Sequence, residues 1–136
     1  MNTSIIHGDG LDLNFEPPDV IFVNCHGDTT LEDMQKFTAM ARTLRSEGIP
    51  STMVLLDMRR STNMSHEARK ELLASLRAGY FEIAIGFGCS FKMRVLFELI
   101  ARAAKLILTD SCPQELFADE AAARARIAEL RQAKRR

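Results

Sequence analysis

Short apolar runs alternate along this chain with longer segments whose apolar residues recur every three or four positions, and that alternation decides the architecture. Leu11, Leu13 and Phe15 alternate with Asp12, Asn14 and Glu16, the period of a half-buried strand. Gly8-Asp9-Gly10 ahead of it can turn an antiparallel hairpin with Ser4–His7. Val20 to Cys25 is almost continuously apolar, as in a strand covered on both faces. Thr52–Asp57 and Tyr80–Phe87 read the same way, and Lys105–Thr109 reads as a short closing strand.

Between these runs lie helices with recognisable starts. Thr29 with Glu32, or Thr30 with Asp33, can form a capping box ahead of the stripe Leu31, Met34, Phe37, Ala41 and Leu44, which Gly48 and Pro50 stop. After a loop from Arg59 to Met64, Ser65 can cap a helix that buries Ala68, Leu72, Leu73 and Leu76 and ends at Gly79. Ser90 can cap a third, with Met93, Leu96, Phe97, Ile100, Ala101 and Ala104 inward. On its other side Arg94, Glu98 and Arg102 stand four apart, positioned to pair. Asp119 caps a fourth helix on Ala123, Ile127 and Leu130, expected to fray after Leu130.

The fold class expected is therefore α/β: a mainly parallel five-stranded sheet with an antiparallel edge hairpin and about four helices joined by right-handed crossovers. Residues 1–130 form a single domain on this view, and 131–136 a basic tail. With 46% apolar and 26% charged residues the chain is not disordered, and its longest apolar runs, Val20–Val23 and Met53–Leu56, are far too short for a membrane span. The amino terminus lacks the basic start and long apolar stretch of a signal peptide, so a cytoplasmic location is expected. Cys25, Cys89 and Cys112 are odd in number and widely spaced, which suits reduced thiols and neither a disulfide framework nor a zinc ribbon.

Charge is uneven although the net is zero. Residues 1–35 hold seven acids and no Lys or Arg, while 124–136 hold six cations against Glu129. No basic stripe continues elsewhere and no aromatic interleaves the tail, so a nucleic-acid partner is not expected and a solvated helix end is.

In such a sheet ligands bind where the loops leave the carboxyl ends of the parallel strands. Those loops carry Asn24, Cys25, His26 and Asp28; Asp57, Arg59, Arg60, Ser61 and Thr62; Gly86, Gly88, Cys89 and Ser90; and Asp110, Ser111 and Cys112. Gly86-Phe-Gly-Cys-Ser-Phe-Lys could offer helix amides to an anion but lacks the Gly-Lys-Ser/Thr of a phosphate loop. Cys89 at a helix start could be a reactive thiol with His26 as its base. Asp57 is placed like a phospho-acceptor, yet Asn24-Cys25 stands where a magnesium-binding acidic pair would be needed; an acid accepting turn amides or pairing with Arg59 or Arg60 explains it better. His7, His26 and His66 share no ligand spacing with the cysteines, so no metal is expected.

Three stretches, Phe22-Val-Asn-Cys-His-Gly-Asp-Thr-Thr-Leu-Glu-Asp, Val54-Leu-Leu-Asp-Met-Arg with Met64-Ser-His-Glu-Ala-Arg, and Phe81-Glu-Ile-Ala-Ile-Gly, resemble STAS-like (SpoIIAA-like) domains. Leu116-Phe-Ala-Asp-Glu-Ala-Ala-Ala is similar to that family's last helix start. The resemblance runs from Leu11 to Leu130 and implies a non-catalytic regulatory module with helices mainly on one sheet face. In anti-sigma-factor antagonists an Asp-Ser-Ser/Thr-Gly segment carries a serine phosphorylated by a partner kinase. The matching positions are Ser65, His66, Glu67 and Ala68, so the phosphoswitch is not intact here.

The resemblance also extends to comparison with CRAL-TRIO lipid-binding domains, which allows a small apolar ligand between sheet and helices, lined by Met34, Met40, Met53, Met58, Met64 and Met93. The function expected is contact with a protein partner, without catalytic residues, cofactor or metal. The candidate partner or anion-binding residues are Arg59, Arg60, Ser61, Ser65, Gly88, Cys89, Ser90 and Arg94. A carrier of a lipid or small apolar molecule is the alternative and a thiol-dependent enzyme the third. The oligomeric state stays open, a dimer included.

Overall fold

In the computed structural model, residues 5–49, 51–107 and 112–135 are described. Ser4, Pro50, Asp110, Ser111 and the Leu108–Thr109 end of the expected closing strand lie outside them. The elements run β1 (Ile6–His7), β2 (Leu11–Glu16), β3 (Val20–Cys25), β4 (Asp28–Thr29), α1 (Leu31–Ser46), β5 (Thr52–Asp57), β6 (Asn63–Met64), α2 (His66–Arg77), β7 (Phe81–Phe87), α3 (Phe91–Ile107), β8 (Gln114–Phe117) and α4 (Glu120–Lys134). Six strands form one sheet in the order β1-β2-β3-β5-β7-β8. The first two pairings are antiparallel and the remaining three parallel, the mixed α/β sheet with an edge hairpin that the sequence predicts.

Because each parallel crossover moves one strand in the same direction, right-handed connections put α1, α2 and α3 on one face. The side chains agree. Leu13, Ile21, Val23 and Val54 meet Met34, Phe37, Ala68, Met93 and Phe97 in one core. The opposite face buries Val20, Met53, Leu55, Ile83, Ile85 and Phe87 against Ala123 and Ile127 of α4. One register shift, between Thr52 and Met53, frees Phe81 from the parity of Ile83. Phe81 therefore stacks on Phe37 of α1 at a centroid distance of 4.8 Å.

Helix starts follow their caps. Thr30, not Thr29, forms the box with Asp33; Ser65 accepts from Ala68 N–H at 3.1 Å, Ser90 from Met93 N–H at 3.2 Å and Asp119 from Ala122 N–H at 2.9 Å.

Four local expectations are corrected. Lys105–Ile107 are the last turn of α3 rather than a strand, because Ile100 and Ala104 continue the buried stripe at helical spacing. The closing strand is instead Gln114–Phe117, parallel to β7. The loop from Arg59 to Met64 ends in a two-residue strand, Asn63–Met64, paired in parallel with Asp28–Thr29. Helix α4 continues through Lys134 instead of fraying after Leu130.

Candidate functional site

Strand β5 ends in Asp57, which is buried, and the next turn is organised around its carboxylate. Arg59 donates three times to it, from the backbone N–H at 3.1 Å, Nε at 3.0 Å and Nη2 at 2.7 Å. These hydrogen bonds hold the Asp57 carboxyl below its ordinary value against the opposing effect of burial. The guanidinium then passes over the Phe87 ring, 5.4 Å from its centroid. Gly88 has φ of +69°, and a Cβ there would lie 2.3 Å from Arg59 Cγ, so this position needs glycine on both counts. The Met58 N–H donates to Phe87 O at 3.0 Å and so ties the loop after β5 to the end of β7.

That join brings the predicted residues to one edge in two different roles. Arg60, Ser90 and Arg94 are exposed, as is Arg59 beyond its ion pair with Asp57. Ser61 is buried, with its N–H on Met58 O, and its side chain lines the interior rather than the surface. Ser65 and Ser90 each have their hydroxyl oxygen accepting a helix N–H. The expected pairing of Glu98 with Arg94 and Arg102 is not formed; among the described residues no ion pair joins them.

The thiols are set against ready ionisation. Burial raises the Cys89 thiol above its ordinary value despite Arg94 nearby. Burial likewise pushes Cys25 to about 12 and Cys112 to about 11. The imidazole of His26 is engaged elsewhere, its Nε2 3.3 Å from Asp12 Oδ1, and His7 Nδ1 approaches the same oxygen at 3.1 Å. Burial opposes ionisation of Asp12, but the two histidine hydrogen bonds outweigh it and lower its pKa. This His7–Asp12–His26 cluster was not legible in sequence, since Asp12 reads only as the outward position of a strand.

Under the sheet's helical face lies a cavity of about 50 Å³, lined by Met34, Val54, Met64, Leu76, Met93 and Phe97 among others. Three of the six methionines expected to line such a space do so. Met53 lies in the core beneath α4, Met58 is buried outside the lining, and Met40 is a partly buried side chain packed against the first core. One water requires about 10–15 Å³, so the space holds more than a single water, and its lining is almost wholly apolar.

No helix of the described residues is long and apolar enough to cross a membrane. Four of the cations near the carboxyl end are held by acids of the chain. Arg124 pairs with Glu16 and Glu120, Arg126 with Glu115 and Glu129, Arg131 with Asp19, and Lys134 with Asp19 and Glu82.

No family model matches this sequence, and no curated protein matches it. Solved structures do share its fold. The unphosphorylated anti-sigma factor antagonist SpoIIAA superposes with a TM-score of 0.59 at 16% identity, over 87% of this chain and 97% of its own. An uncharacterized DUF3478-family protein with a SpoIIAA-like fold, from Shewanella loihica PV-4, gives 0.55 at 19% identity, over 90% and 96%. The chain has a SpoIIAA-like fold.

Proposed function

We propose that this chain is a non-catalytic regulatory module that works by protein contact, through the edge made by residues 57–65 and 86–94. What supports this reading is that exposed Arg59, Arg60 and Arg94 and the capped starts of α2 and α3 all lie in the segments that follow the carboxyl ends of the parallel strands β5 and β7. An acidic or phosphorylated partner segment finds favourable charge there. SpoIIAA, which has the same fold, is an anti-sigma factor antagonist. In our reading the contact here does not depend on phosphorylating the α2 start, where His66 follows the capping Ser65. Three free thiols suit a reducing compartment, the cytoplasm.

The test is charge reversal at two exposed, unpaired positions, Arg60→Glu with Arg94→Glu, followed by affinity capture from the native host. Partner recovery should fall while the melting temperature stays put; undiminished recovery would remove this edge from consideration.

A second reading, binding of a small apolar molecule, rests on the cavity between the sheet and α1–α3. Native mass spectrometry of protein purified from its host checks it directly, and a retained apolar adduct is the expected result under that reading. Thiol chemistry ranks third, because the Cys89 thiol is raised and His26 is committed to Asp12.

A further inference from the structure

Helix α3 is apolar on two opposite sides. Inward, Met93, Leu96, Phe97, Ile100 and Ala104 are buried in the core. Outward, Phe91, Val95, Leu99 and Leu106 are 82%, 39%, 55% and 89% exposed. At the angular step of an α-helix these four fall within about 80° of arc, a continuous crest one side chain wide. Arg102 lies inside that arc, Lys92 borders it on one side, and Glu98 and Lys105 border it on the other. Lys92, Arg102 and Lys105 are exposed, and no ion pair among the described residues involves them.

We propose that the outer crest of α3 docks this protein on an anionic lipid surface. An apolar stripe rimmed by more cations than acids is the composition of a helix lying in the plane of a charged bilayer interface, its apolar side chains among the headgroups and its cations near lipid phosphates. Long cationic side chains within such a stripe, as at Arg102, extend their charge to headgroup level. A second copy of the chain fits the crest poorly on two counts. From Phe91 to Leu106 the crest is roughly 22 Å long and 10 Å wide, about 220 Å² on helix dimensions, well below the ~800 Å² per partner of a standard interface. Two such crests would also bring cationic rims together. The docking ridge overlaps the partner-binding edge proposed above only at Phe91 and Lys92, and Val95, Leu99, Arg102 and Leu106 lie beyond it, so either can fail without the other.

The test uses the full-length protein and vesicles of phosphatidylcholine with about 30% phosphatidylserine, against phosphatidylcholine alone. Cosedimentation is expected with the anionic vesicles only, and to weaken at about 0.5 M salt. Leu99→Asp should lower vesicle affinity at least about tenfold, and Arg102→Glu about fivefold, with melting temperatures unchanged because both positions are exposed. Phe91→Ser serves as a second apolar variant should Leu99→Asp disturb the helix. Absence of binding to anionic vesicles overturns the proposal, and so does binding indifferent to Leu99→Asp and Phe91→Ser. A lipid-free dimer that Leu99→Asp converts to monomer in sedimentation velocity also overturns it, in favour of a second copy. Loss of partner capture by Arg60→Glu with Arg94→Glu bears only on the edge.

Discussion

Helices α3 and α4 lie on opposite faces of one sheet and treat their outward sides in opposite ways. Helix α4 buries the narrow pair Ala123 and Ile127, and its cations Arg124, Arg126, Arg131 and Lys134 are all bound to acids of the same chain. Helix α3 buries a broad face and leaves apolar side chains outside, together with cations that form no ion pair among the described residues. Four cations of the denser positive run are thus already paired with acids of the chain. Charges counted along the sequence read α4 as a solvated helix end, whereas in three dimensions four of its cations bind acids on other elements or on α4 itself.

The largest effect expected from this contrast lies within α3 itself. Phe97→Ala should cost about 3–5 kcal/mol, the usual loss for emptying a buried aromatic site. Leu99→Ala, two residues away and half exposed, should stay within about 0.5 kcal/mol. Urea denaturation of both variants measures the difference. Equal costs would mean the outer crest is covered in solution.

Next comes the α4 clamp. Arg124 holds Glu16 at 3.0 and 3.1 Å and Glu120 at 2.8 Å, joining the last helix to the end of β2. Arg124→Ala should destabilise by about 1 kcal/mol, since the group is partly solvated, and the gap should narrow at about 1 M salt. Lys92→Ala on α3 should change neither stability nor its salt dependence.

How much of this was readable beforehand follows from the range of the interactions concerned. The caps at Thr30, Ser65, Ser90 and Asp119 are local, written within four residues, and all four form. Strand β8 was missed because Gln114 and Glu115 break any apolar run; it is a strand through its parallel pairing with β7 and through Arg126 binding Glu115. The same separation governs the site. Arg59 on Asp57 is two residues away and was foreseen, while Ser61 turning inward and Asp12 meeting His26 depend on how loops settle against distant strands. The ion pairs between Asp19 and α4 span more than a hundred residues, so the acidic start and the basic end read as two unrelated tails.

A third effect is the pH dependence of the site's ion pair. Arg59 holds the Asp57 carboxyl below its ordinary value, so the folded state binds that proton less tightly than the unfolded chain does. The resulting stabilisation is complete above the unfolded carboxylate value, near pH 4, and disappears as pH falls through the depressed folded value. Arg59→Ala should therefore be less stable than the parent at neutral pH and converge with it in acid. Chemical denaturation across pH 2–7 follows the convergence. A gap that persisted at the acid end would assign the role of Arg59 to its packing on Phe87 and Gly88 instead.

The smallest effect concerns how firmly the start of α3 sits on the sheet. Cys89 precedes that helix, where amide dipoles favour a thiolate, yet the side chain packs against the first core and burial raises its pKa. Burial prevails, so at pH 7 a thiol reagent should label Cys89 severalfold more slowly than a free cysteine of ordinary pKa, about 8.5, with the rate climbing as pH rises. Cys25, pushed to about 12, should stay unlabelled until the protein unfolds. Slow labelling means the inner face of α3 keeps its contacts while the outer crest is free to meet another surface. Rapid labelling of Cys89 at neutral pH would instead show the helix start leaving the core. The division between the buried and exposed sides of α3 would then no longer hold at its first turn, and a nucleophilic role for this thiol would return to the fore.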